Sequence, residues 1–151
     1  MNLKRLYQET ILSHNKSPKN FRVLDDCTHE AHGKNPLCGD DFFVYVKVEG
    51  NKIADIGFQG QGCAISKASA SLMTHYIKGK SLDVVEKMKN CFIESITQED
   101  CSDECKETLG PLFLFEGVRD YPVRVKCAAL IWRALESALS TESINKEVST
   151  E

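Results

Sequence analysis

Phe42-Phe43-Val44-Tyr45-Val46-Lys47-Val48-Glu49, then Gly50-Asn51, then Lys52-Ile53-Ala54-Asp55-Ile56-Gly57-Phe58-Gln59 is the stretch that decides the fold. Two runs rich in β-branched and aromatic residues, joined by a Gly-Asn pair, predict an antiparallel hairpin. On the second run, Ile53, Asp55 and Gly57 alternate with Ala54, Ile56 and Phe58, so one face is packed and the other wetter. The ends of such a hairpin lie side by side. Cys38-Gly39-Asp40 precedes the first strand and Gly60-Gln61-Gly62-Cys63 follows the second, so Cys38, Asp40 and Cys63 are brought to one edge.

Outward from the hairpin, helical periods dominate. Leu3, Leu6, Tyr7, Thr10, Ile11 and His14 predict an amphipathic helix that stops near Ser17-Pro18. His14 reads as a packing residue or a partner of the helix dipole. Between Phe21 and Lys34, Cys27, His29 and His32 suggest a second metal cluster, but their alternation reads better as a short edge strand. Ala64–Ile77 is predicted helical, with small residues that imply close packing on the sheet, and a second helix follows from about Leu82 to Ile96. Cys91 within it reads as a buried small hydrophobe. Thr97–Glu107 is polar and holds Cys101 and Cys105; it reads as an exposed loop or short helix, or else an auxiliary thiol or metal site. Leu112-Phe113-Leu114-Phe115 must be buried. The last helix starts near Asp120-Tyr121-Pro122, with Asp120 placed to cap it and Cys127 in its first turns. The expected fold class is α+β, a small antiparallel sheet of about three strands packed against helices. Residues 1–140 read as one domain and 141–151 as a polar, frayed tail.

Composition narrows the function. The chain has 151 residues, 42% hydrophobic and 27% charged, which suits a single globular domain. A formal net charge of -3 argues against a general nucleic-acid binder. No apolar run approaches the roughly 18–20 residues that span a bilayer, and Met1–Tyr7 lacks the features of a signal peptide; a cytoplasmic protein is expected. Seven cysteines, an odd count without a secretion signal, argue for metal or thiol chemistry over a disulfide framework.

Cys38, Asp40, Cys63 and Cys127 are therefore read as one metal site with zinc as the first candidate. Three thiolates and a carboxylate complete a tetrahedral shell, at about 2.3 Å for Zn–S and 2.0–2.2 Å for Zn–O. Cys63 and Cys127 each fall where a helix begins, which favours the thiolate. The carboxylate is informative, because purely structural zinc sites prefer four Cys or Cys with His. It points to exchange or transfer at the metal, with Cys38 as a reactive thiol. Lys126 and Arg124 bracket the approach to Cys127 and favour sulfur anions.

Cys38-Gly39-Asp40, the run Gly60 to Ser71, and Arg124-Val125-Lys126-Cys127 together resemble the iron–sulfur assembly family of IscU, SufU and NifU amino-terminal domains. The resemblance extends from the first helix to the last and lies closest to the SufU branch. Lys126 stands where IscU-type scaffolds carry a histidine, and the segment between Ile77 and Cys127 is long. The resemblance implies a zinc-dependent sulfurtransferase with zinc on Cys38, Asp40, Cys63 and Cys127. Cys38 would accept persulfide sulfur from a cysteine desulfurase of the SufS type, and Arg124 would help hold the active geometry. Sulfur would then pass to a cluster-building complex of the SufBCD type. The alternatives are a scaffold carrying iron or a transient [2Fe–2S] cluster on the same ligands, and a zinc-stabilised, non-catalytic interaction domain. A zinc hydrolase is disfavoured, since no His-Glu pair at helical spacing accompanies the site.

Overall fold

The computed structural model describes residues 3–140 and 146–150. Helix α1 (Leu3–Lys16) is followed by strands β1 (His29–Asn35), β2 (Asp40–Glu49) and β3 (Lys52–Gln61). Helices α2 (Ala64–Ile77), α3 (Leu82–Thr97) and α4 (Asp103–Leu109) lead into a 3-10 helix, Gly110–Val118. Helix α5 (Pro122–Ser140) and strand β4 (Lys146–Ser149) complete the chain. The strands form one mixed sheet in the order β3-β2-β1-β4, with β4 parallel to β1 and the other pairs antiparallel.

The hairpin forms as expected, with Gly50 at a positive φ of 61° in its turn. Its register departs from strict alternation at one place. Val48 pairs with Ile53 and Lys47 with Asp55, so Ala54 is a bulged extra residue. The bulge lets both Ile53 and Ile56 turn into the core, where both are fully buried, and leaves Ala54 exposed. The packed face carries Ala31, Phe42, Val44, Val46, Ile56 and Phe58 under α2 and α5. Gly33 has no side chain because α5 passes directly over it; a Cβ there would stand 3.1 Å from Leu130 Cδ1. On the opposite face His32 hydrogen-bonds Asp41 and stacks on Phe43.

Four expectations are corrected. The sheet has four strands, not about three. β1 is an interior strand, not an edge, because β4 pairs with Ala31–Lys34. Residues 146–149 of the expected frayed tail form that strand, and Thr150 N–H donates to the Lys34 carbonyl at 3.0 Å. Cys91 is more than a buried hydrophobe: it is disulfide-bonded to Cys105, and the bond ties α3 to α4. Cys27, His29 and His32 form no cluster of metal-ligand atoms among the described residues. His14 is a packing residue, its Nδ1 2.7 Å from Ser71 Oγ across the α1–α2 contact. Leu112 and Phe115 are buried in the 3-10 helix, as their apolar run requires. Among the described residues, no helix is long and apolar enough to cross a membrane.

Candidate metal centre

The centre is built by three connections that end at the same place. Asn35 closes β1 and opens the turn into β2, with the Cys38 N–H donating to the Asn35 carbonyl at 3.1 Å. Gly39 takes φ +72°, the left-handed region that a residue with a Cβ rarely adopts. That turn sets Cys38 half-buried at the rim and delivers Asp40 into the interior at 2% exposure. Across the hairpin, Cys63 takes the cap position of α2. Its sulfur accepts from the Ser66 N–H at 3.4 Å, and its own N–H donates to Asp40 Oδ1 at 2.8 Å. Ser66 Oγ in turn donates to the Cys63 carbonyl at 3.0 Å. The third connection is α5, whose early turns bring Cys127 down onto the turn from above.

One ligand atom each from Cys38, Asp40 and Cys127 lies within 4.8 Å of the other two, and the Cys127 and Cys38 sulfurs are 3.3 Å apart. Cys63 stands outside that mutual group, with its sulfur 3.9 Å from Asp40 Oδ2. Hydrogen bonding with Cys127, and then with Ser66, draws the Cys63 thiol down to about 6 against the opposing effect of burial. The same hydrogen bond, then burial and the neighbouring Cys38, push Cys127 strongly upward. Soft sulfur donors beside a buried carboxylate fit a borderline cation such as zinc, and would equally fit iron.

Arg124 is aimed at a neighbouring groove. Its guanidinium lies 4.5 Å from the centre of the Tyr121 ring, and it helps line, with Tyr7 and His14 of α1, a cavity of about 790 Å³. Burial raises the Tyr7 hydroxyl, and the Arg124 charge opposes that rise.

Three further residues shape the centre. Asn35 pairs with Asp40 across β1 and β2 and is 1% exposed, yet its side-chain amide has no hydrogen-bond partner among the described residues. Ser66 is the second; the three-residue spacing from Cys63 is the cap signal that could have found it. Gly62 is the third. A Cβ at that position would stand 2.6 Å from Asp40 Oδ1, 2.7 Å from Phe42 Cε2 and 2.8 Å from Ser66 Oγ. Gly62→Ala is therefore expected to displace the Asp40 carboxylate. A loss of about 10–100-fold in metal affinity, the usual cost of disturbing groups that orient ligands, is expected in a competition titration with a chelator.

Comparison with known proteins places this geometry in context. The family model for the NifU-like N-terminal domain matches residues 6–128. The zinc-dependent sulfurtransferase SufU of Bacillus subtilis is 38% identical over 141 residues, covering 93% of this chain and 94% of that protein. The iron–sulfur cluster assembly scaffold protein IscU of Thermotoga maritima is 39% identical over 139 residues, covering 92% and 96%. The crystal structure of FiSufU from Fervidobacterium islandicum superposes with a TM-score of 0.82 at 35% identity, over 87% of this chain and 95% of that one.

Proposed function

Because this chain belongs to the NifU-like N-terminal domain family, which holds the SufU and IscU proteins of iron–sulfur cluster assembly, we propose that it is a zinc-dependent sulfur carrier that accepts persulfide sulfur on Cys38. The observation that carries the reading is the convergence of Cys38, Asp40 and Cys127 at the rim of the fold, with Cys63 beside them. Cys38, Asp40, Cys63 and Cys127 would hold the zinc. Bound there, the ion would supply charge that keeps the thiols deprotonated at neutral pH.

The donor of sulfur is a cysteine desulfurase, of the SufS type on this reading. Cys38 is the ligand best placed to meet it: it lies in an exposed turn next to Leu37, which is 72% exposed, while Asp40 and Cys127 are buried. The Cys38 thiolate attacks the outer sulfur of the partner's persulfide. The partner's S–S bond breaks, its cysteine leaves as thiolate, and Cys38 carries the outer sulfur as a persulfide. The buried carboxylate and the two remaining thiols stay behind to hold the site together while Cys38 reacts. Arg124 acts as a positioning residue: its stacking on Tyr121 fixes the first turn of α5, and through it Cys127. The sulfur then passes to a cluster-building complex of the SufBCD type.

A second reading is favoured by the Thermotoga relative, which is named a scaffold. The same ligands suit a [2Fe–2S] cluster, although Lys126 occupies the position before Cys127. One experiment separates the two. The protein is purified anaerobically, its metal and sulfide content measured, and the same sample added to a cysteine desulfurase. Roughly one zinc per chain with a rise in cysteine turnover is the expected result. Iron and sulfide in its place, with little activation, would establish the scaffold.

A further inference from the structure

Four of the seven cysteines take no part in the centre described above, and the fold gathers three of them at a second place. Cys91 and Glu94 lie three residues apart on one face of α3. Cys101 sits in the connection to α4 and is 7% exposed; Cys105 occupies the first turn of α4. The Cys101 sulfur, the Cys105 sulfur and a Glu94 carboxylate oxygen lie within 4.8 Å of one another, and Cys91 joins them through its bond to Cys105. The Glu94 carboxylate accepts from the Cys101 thiol and, at 3.4 Å, from the Ser102 N–H. Ser102 caps α4 by accepting from the Cys105 N–H at 3.1 Å, and Lys87 of α3 pairs with Glu104 of α4 at 2.6 Å. The local backbone is thus held independently of the sulfur–sulfur bond.

We propose that Cys91, Cys101, Cys105 and Glu94 form a second site for a thiophilic divalent metal ion, zinc above all, which opens when the Cys91–Cys105 disulfide is reduced. The donor set is three thiols and one carboxylate, the same chemistry as the Cys38 centre, from different elements and with no residue in common. In a tetrahedral shell with Zn–S bonds of about 2.3 Å the sulfurs stand about 3.8 Å apart, so Cys101, Cys105 and Glu94 need only a modest contraction around an ion, while the Cys91 sulfur must swing away from that of Cys105 once their bond is opened. The Cys91 and Cys105 Cα atoms, 5.1 Å apart, suit two ligands of one ion as well as a disulfide.

The chemistry balances with a dithiol as reductant. Two electrons and two protons pass to the Cys91–Cys105 bond, giving two thiols, and the reductant leaves as its own disulfide. Binding of the divalent ion then releases the protons of the three thiols. In the reverse direction a small-molecule disulfide takes two electrons from Cys91 and Cys105 and the ion is expelled. The α3–α4 contact is stapled in both states, by an ion in one and by a covalent bond in the other.

The test titrates cobalt(II) into the full chain, reduced with a dithiol and freed of metal under anaerobic conditions, and follows sulfur-to-cobalt charge-transfer absorption. Two equivalents are expected in the wild type. Cys101→Ser is expected to take up one equivalent, and Cys38→Ala to keep the second site filled. Glu94→Gln, which leaves all three sulfurs and the fold in place, should weaken the second equivalent at least tenfold without touching the first. Wild type that stops at one equivalent lost in Cys38→Ala overturns the proposal, as does Cys101→Ser that still takes up two. A single equivalent that survives Cys38→Ala and is lost in Cys101→Ser would retain this site and count against metal at the other, so the two assignments fail separately.

Discussion

Cys38→Ala is expected to abolish sulfur acceptance while leaving the fold intact. The side chain lies half-buried in a surface turn whose geometry comes from Pro36, Gly39 and the Cys38 N–H to Asn35 carbonyl bond, none of which involves the thiol. Removing the sulfur therefore leaves no core cavity. It does remove one of the four proposed ligands, so loss of metal must be separated from loss of the acceptor. Cys63→Ser provides that control: it also loses a sulfur ligand but keeps the Cys38 nucleophile. After incubation with a desulfurase and cysteine, intact-protein mass spectrometry should show an added sulfur atom on the wild type, a reduced fraction on Cys63→Ser and none on Cys38→Ala. Full stimulation of the desulfurase by Cys38→Ala would sink the assignment.

Trp132→Ala is expected to have the largest effect on stability, about 3–5 kcal/mol, the usual range for a fully buried Trp truncated to Ala. Trp132 has no exposed surface and stacks on Phe92 with ring centres 4.6 Å apart, joining α5 to α3 in the middle of the core. Phe92 leans in turn on Phe115 of the 3-10 helix, so the cavity would open where three elements meet. Trp132→Phe should cost much less. The indole N–H is buried without a hydrogen-bond partner among the described residues, and exchanging it for a ring without that donor offsets part of the lost volume. Chemical denaturation of both variants measures this; equal losses would show that the N–H has a partner of its own.

The parts of the centre that follow from local rules were legible in the chain. A Gly-Asn hairpin brings the residues on either side of it together, so Cys38, Asp40 and Cys63 at one edge needed nothing beyond period-two alternation and turn chemistry. Cys127 is different. Its place above the turn depends on how α5 crosses the sheet, which Gly33 permits by yielding space to Leu130; no pattern near Cys127 encodes that. The same holds for Cys91 and Cys105, whose bond spans a sequence separation of 14 and exists because α4 folds back on α3. A count of cysteines argued against disulfides in general and could not speak to one pair held by packing. Strand β4 was unreadable because Lys-Glu-Val-Ser is short and mostly polar, and its pairing comes from the waiting backbone of β1.

That pairing has a consequence for how the protein is made. β1 lies between β2 and β4, but the segment that covers its second side emerges from the ribosome after every other element of the sheet. Throughout synthesis the nascent chain therefore presents β1 as an open edge, with backbone donors and acceptors free for another strand. His32 and Lys34 give that strand polar side chains on one face, the kind of residue that discourages adhesion between chains. Strand β4 then acts as a closing seam, and a chain cut short before it would hold the thiols of both cysteine clusters but stay sticky along one side.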